Sequence, residues 1–242
     1  MGDRFTDGYR GRIGLVATAP GNATEADFNR YRPEGVAVMT TRTPLSSSTP
    51  EGIAQMNQYT DAAVRMLAEN AYCDIILLSS TAGSFLDGEE ADRKKADFLS
   101  RETGTKVITS AGCMLKALHA VSAEKITLIT PSSPALNKVE QAFLETAGFT
   151  IAAVGGFSFS SPRQILCVSP EEVVQMVLDT DVSESDAVLL SCSGLHVMEV
   201  IEPLEQTLGK CVLASNQFGL WRSVRELGIT DRIRGCGRLF TY

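Results

Sequence analysis

Asp74-Ile75-Ile76-Leu77-Leu78-Ser79-Ser80-Thr81 returns later in the chain as Asp186-Ala187-Val188-Leu189-Leu190-Ser191-Cys192-Ser193. Each copy is an apolar run of strand length that stops abruptly at small hydroxyl or thiol residues. A strand buried on both faces of a parallel sheet reads as a continuous apolar run, and its C-terminal end is where α/β folds open into a site. The repeat puts Ser80 and Cys192 at equivalent positions, facing each other if the two halves pack about a pseudo-twofold axis.

The duplication extends in both directions. Arg12-Ile13-Gly14-Leu15-Val16 corresponds to Lys125-Ile126-Thr127-Leu128-Ile129, and Lys106-Val107-Ile108-Thr109-Ser110 to Cys211-Val212-Leu213-Ala214-Ser215. Further strand candidates are Val36 to Met39 and Thr150 to Val154. Helical patterns lie between them. Thr49-Pro50-Glu51-Gly52 and Ser169-Pro170-Glu171-Glu172 each set proline at the first helical position behind an N-cap. Such alternation predicts an α/β fold with parallel sheets and right-handed crossovers. The expected architecture is two pseudosymmetric Rossmann-like lobes with the active-site cleft between them. Residues 1–110 with 215–242 form the expected N-terminal lobe and 111–214 the C-terminal one, with crossovers near Ser110 and Ser215.

Composition narrows the function classes. The 242 residues are 44% hydrophobic and 21% charged, ordinary for a globular protein. A net charge of −7 without any Lys/Arg cluster argues against nucleic acid as a partner. No apolar stretch approaches the roughly 20 residues that span a bilayer. The N-terminus lacks the apolar core of a signal peptide, so a cytoplasmic location is expected. Six scattered cysteines and only two histidines make no metal motif. Neither Gly155-Gly156 nor Gly235-Cys236-Gly237 has the register of a nucleotide loop, so no cofactor is expected. The sequence leaves room for a homo-oligomer.

Four expected strand-end loops carry small polar groups: Thr18 to Asn22, Ser79 to Ser84, Thr130 to Ser133 and Ser191 to Gly194. Hydroxyls and free backbone N–H groups there make a cradle for an anion such as a small carboxylate. Taken singly, each hydroxyl reads more simply as a helix cap. Cys192 is expected between a buried strand and a helix start, where the helix dipole favours thiolate. It has the character of a nucleophile or of an acid/base for proton transfer at carbon. His196, one helical turn on, is a weaker candidate partner.

These residues resemble the aspartate/glutamate racemase superfamily, in the branch of maleate cis–trans isomerases and arylmalonate decarboxylases. The markers are Gly21-Asn22-Ala23-Thr24, Thr49-Pro50-Glu51-Gly52, Ser80-Thr81-Ala82-Gly83-Ser84-Phe85, Leu190-Ser191-Cys192-Ser193-Gly194-Leu195, Ser215-Asn216-Gln217 with Trp221, and Gly235-Cys236-Gly237-Arg238-Leu239-Phe240. The resemblance implies a cofactor-free enzyme acting on a small carboxylate. In that family the racemases and isomerases use two cysteines on opposite faces of the substrate, whereas the decarboxylases keep only the second. It also implies that Thr81, Cys192 and Gly194 match decarboxylase oxyanion and proton-donor positions. Asn22 matches an isomerase carboxylate-binding residue, and Ser132 stands where a tyrosine donor is usual. Ala82 and Ser193 complete the expected substrate-binding set.

Ser80 departs from the two-thiol pattern, because a serine hydroxyl is too weak an acid or base to replace a thiol unaided. Three readings follow. The first is a single-thiol lyase in which Cys192 protonates an enediolate. The second is an isomerase or racemase with Ser80 at its first cysteine position, and the third is a carboxylate-binding protein that has lost catalysis. Ser46 to Ser48 and Phe157 to Ser161 are expected to line part of the pocket and to favour a polar aliphatic acid over an aryl one.

Overall fold

A computed structural model describes residues 5–242. Eight strands and eleven helices alternate along it. The first half runs β1 (Gly11–Thr18), α1 (Ala23–Tyr31), β2 (Val36–Thr43), α2 (Pro50–Asn57), α3 (Thr60–Arg65), β3 (Ile75–Leu78), α4 (Thr81–Phe85), α5 (Glu89–Thr103) and β4 (Lys106–Thr109). The second runs α6 (Ser110–Ala120), β5 (Lys125–Thr130), α7 (Pro134–Thr146), β6 (Thr150–Gly156), α8 (Pro162–Ile165), α9 (Pro170–Thr180), β7 (Ala187–Leu190), α10 (Ile201–Leu208), β8 (Cys211–Ala214) and α11 (Ser215–Glu226).

The strands form two parallel four-stranded sheets, ordered β2-β1-β3-β4 and β6-β5-β7-β8. The second order is the first repeated one lobe later, as the duplicated segments require. Register repeats as well: Ile13 pairs with Ile75 through Val16 with Leu78, and Ile126 with Ala187 through Ile129 with Leu190. The aspartate opening each copy of the repeat does the same work twice. Asp74 accepts the Arg12 backbone N–H at 2.8 Å, and Asp186 accepts that of Lys125 at 2.8 Å. Each carboxylate thus ties the start of its strand to the neighbouring one.

Central strands β3 and β7 are buried along their whole length, which is why both read as unbroken apolar runs. β2 runs on to Thr43, past the expected Met39. After β8 the chain returns across the molecule, and α11 packs on α1, α6 and β3. Gly219 permits this approach, since a Cβ there would stand 2.9 Å from the Leu77 side chain. The closing turn at Arg238–Thr241 lies against β8 and α11. Among the described residues no helix is long and apolar enough to cross a membrane.

Candidate active site

Ser80, just beyond β3, is extended and caps α4, its Oγ accepting the Gly83 N–H at 3.1 Å. Thr81 follows, but its hydroxyl turns inward. It lies 2.9 Å from the Ser215 hydroxyl and 3.1 Å from that of Ser110, a buried cluster where α4, α6 and α11 begin. What Thr81 and Ala82 offer the cleft is backbone, because the first N–H groups of a helix have no intrahelical acceptor.

Across the pocket, β7 delivers Ser191 and Cys192. Ser191 is anchored by its N–H to the Ile129 carbonyl at 2.8 Å, and its hydroxyl donates to Glu140. Cys192 is half-buried, its Sγ accepting the Gly194 N–H at 3.3 Å. A tight turn follows, with Leu195 N–H on the Cys192 carbonyl at 3.4 Å. The expected helix start is absent: the chain does not become helical until the short turn at Met198–Val200 that leads into α10. No helix dipole therefore stabilises a thiolate. Burial pushes the thiol up to about 11, the Gly194 N–H opposes this, and the Glu140 carboxyl adds to it. At neutral pH Cys192 is a thiol.

Ser193 is held through its carbonyl, which accepts from Thr24 Oγ1 at 3.1 Å and from Asn216 Nδ2 at 3.2 Å. One pocket is walled by Ser80, Thr81 and Ala82 from the first lobe and by Ser132, Cys192, Ser193 and Gly194 from the second. These expected site residues thus come together. Asn22 does not join them. It is exposed and follows the lining residue Gly21, its Oδ1 is 3.2 Å from His196 Nε2, and His196 engages Asn22 rather than the thiol.

The remaining walls differ from the expected polar lining. Of Ser46 to Ser48 only Ser48 reaches the pocket, and Phe157 and Phe159 stack on each other at 5.6 Å around a separate surface hollow. In their place stand Leu45, Ile53, Phe85, Leu136, Ile165 and Leu166. The lining is therefore part polar and part apolar.

Glu140 is the residue the sequence did not disclose. It lies on α7 one turn beyond Leu136, in the helix stripe that also buries Phe143 and Leu144. Only 1% exposed, it has the Ser191 hydroxyl as its hydrogen-bond partner, and burial pushes its carboxyl up to about 8. The available signal was an acid interrupting an apolar helix stripe.

A thiol and a hydroxyl at equivalent strand ends, around one pocket between two similar parallel sheets, define an α/β protein with a candidate thiol active site. The arylmalonate decarboxylase family matches residues 13–240, and the chain belongs to that family. It is 26% identical over 238 residues to a maleate isomerase of Nocardia farcinica, covering 94% of each chain. To an arylmalonate decarboxylase of Bordetella bronchiseptica it is 26% identical over 232 residues, covering 94% of this chain and 95% of that one. The fold matches a solved structure of the Nocardia farcinica maleate cis–trans isomerase, a cysteine-to-serine variant with a covalently bound succinylcysteine intermediate. The TM-score is 0.89 at 26% identity, covering 95% of this chain and 97% of that one. The branch read from the sequence motifs and the two-sheet α/β fold are both borne out. The chain is an enzyme of the isomerase or decarboxylase kind.

Proposed function

We propose that the protein is a cofactor-independent, single-thiol decarboxylase of a small malonate-type diacid bearing an apolar substituent. The observation that carries this reading is the pair at the strand ends, the Cys192 thiol and the Ser80 hydroxyl lining one pocket. Loss of carbon dioxide leaves its bonding electrons on the remaining carboxylate as an enediolate. The Thr81 and Ala82 N–H groups and the Ser80 hydroxyl hydrogen supply donors for that oxyanion, a preorganised arrangement of the kind that dominates such catalysis. The Cys192 S–H then protonates the carbon. A thiol held near 11 suits a donor better than a resting nucleophile. The apolar wall of Leu45, Ile53, Phe85 and Ile165 takes the substituent.

A second reading is maleate isomerisation through Cys192 alone, by addition to the double bond, rotation and elimination. It is supported by the Nocardia farcinica relative and its succinylcysteine intermediate. It requires a thiolate, which this pocket disfavours. Proton NMR in deuterium oxide with phenylmalonate, methylmalonate, maleate and aspartate separates the two. Deuterium at the α-carbon with loss of carbon dioxide supports the lyase. Conversion of maleate to fumarate overturns it in favour of the isomerase, and ligand binding without turnover leaves a carboxylate-binding protein.

A further inference from the structure

Cys192 and Glu140 are the only side chains lining the pocket that titrate in the working range; among its described walls every other polar side chain is a hydroxyl. A single thiol that donates its proton at carbon ends the step as a thiolate, and the net reaction takes up one proton per turnover. Ser80, Ser132, Ser191 and Ser193 are far too weak as acids to return it. His196 is not among the lining residues and bonds Asn22 instead. The remaining candidate is a carboxyl group buried in the wall, bonded to the residue that immediately precedes the thiol.

We propose that Glu140 is the proton source for Cys192: it shares a proton with the thiol and restores it after each turnover. This rests on the single-thiol reading of the pocket. In the catalytic step the S–H bond breaks and a C–H bond forms, leaving the Cys192 thiolate. The Glu140 O–H bond then breaks, an S–H bond forms, and the carboxylate that remains takes a proton from water entering after product leaves. No electrons are exchanged with any other group. Net, a dicarboxylate and a proton give a monocarboxylate and carbon dioxide.

The surroundings fit an acid that stays neutral until it is used. α4 and β6, which pack closely on α7, carry no titratable side chain, and Lys138 and Glu145 of α7 itself are exposed. Lys125 lies at the opposite end of β5. Burial therefore acts on Glu140 unopposed by any cation, and the acid lies below the thiol in pKa, so the proton passes downhill to the thiolate.

A purely structural glutamate would hold Ser191 equally well as glutamine, whose Oε1 also accepts a hydroxyl. Glu140→Gln therefore separates the roles, with Glu140→Asp as the variant that retains an acid. The first readout is the pH dependence of Cys192 alkylation by iodoacetamide, followed by mass spectrometry of the Cys192 peptide from about pH 5 to 10. In E140Q the thiolate should form at lower pH and react several-fold faster at about pH 9, because no carboxylate repels it. Superimposable curves for wild type and E140Q overturn the proposal. The second readout is phenylmalonate turnover: kcat should fall about tenfold or more in E140Q with KM within about twofold, and recover in part in E140D. An unchanged kcat also overturns it. If the wild type turns over no acid at all, the single-thiol reading fails, and the alkylation curves still decide whether the Glu140 carboxylate acts on the Cys192 thiol.

Discussion

The Asn216 side-chain amide donates to the Asp27 carboxyl group at 2.7 Å and to the Ser193 carbonyl at 3.2 Å. Its own oxygen accepts from Thr24 Oγ1 at 3.0 Å, so one buried amide ties α1 and α11 to the turn that carries Cys192. Asn216 and Asp27 are both buried.

Replacing Asn216 with alanine should therefore destabilise the fold by about 1–3 kcal/mol, the cost of leaving buried polar partners unsatisfied. Urea unfolding followed by circular dichroism gives the number. A loss below about 0.5 kcal/mol would mean that water replaces the amide and that the network contributes little.

Cys192→Ala should lower turnover by at least about a hundredfold, since positioned acid–base groups contribute on the order of 10²–10⁴ in rate. Binding of a monocarboxylate product, measured by calorimetry, should change by less than about threefold. The Thr81 and Ala82 N–H groups and the apolar wall are untouched by this substitution. Residual activity near wild type would remove Cys192 from the chemistry.

Asp92 makes the fold sensitive to a rise in pH from acid to neutral. Its carboxyl accepts the Thr109 hydroxyl on α5's inner side, and burial pushes it up to about 7 from an ordinary value of 3.8. As pH rises through 3.8 the unfolded chain ionises at this position while the folded chain keeps its proton. Stability from this group is therefore intact below about 3.8 and is lost progressively up to about 7. Asp92→Asn removes the dependence and keeps an acceptor for Thr109. The Tm difference between the variant and wild type should rise in the variant's favour from pH 4 to pH 8. A constant difference across that range would show that Asp92 ionises freely in the folded state.

Much of this molecule was legible because duplication tests each reading twice. All eight expected strands exist, and Ser80 and Cys192 reach the same pocket because equivalent positions in parallel sheets lie at equivalent ends. Three things were hidden for physical reasons. The turn after Cys192 carries the small polar residues of a helix cap, and Gly194 closes on the thiol instead. Leu45 and Ile165 are apolar in sequence whether they face a core or a cavity, so the apolar pocket wall gave no pattern of its own. Glu140 interrupts the apolar stripe of α7, a signal that becomes a pocket wall only once the helix is set against its sheet. Thr40 to Thr43 extend β2 although they are polar, because β2 is an edge strand with a partly open face.

Ser80→Cys is the substitution that tests the symmetry of the site. The serine caps α4 through the Gly83 N–H, and thiol is a poorer acceptor, so the change should cost about 1 kcal/mol of stability. In exchange it places a thiol at the first turn of α4, where unpaired N–H groups lower a thiol's pKa. Cys192, kept neutral by burial, would then face a group able to act as base. One removes the α-proton of a monocarboxylate and the other returns a proton from the opposite face, so a product of one hand should become a mixture. Chiral chromatography of a resolved 2-aryl propionate, incubated with S80C in deuterium oxide, reads both the inversion and the exchanged deuterium. Wild type should leave the acid optically intact. If S80C also leaves it intact and unexchanged while still folded, positions 80 and 192 do not address opposite faces of one carbon, and the two-sided geometry inferred for the pocket is wrong.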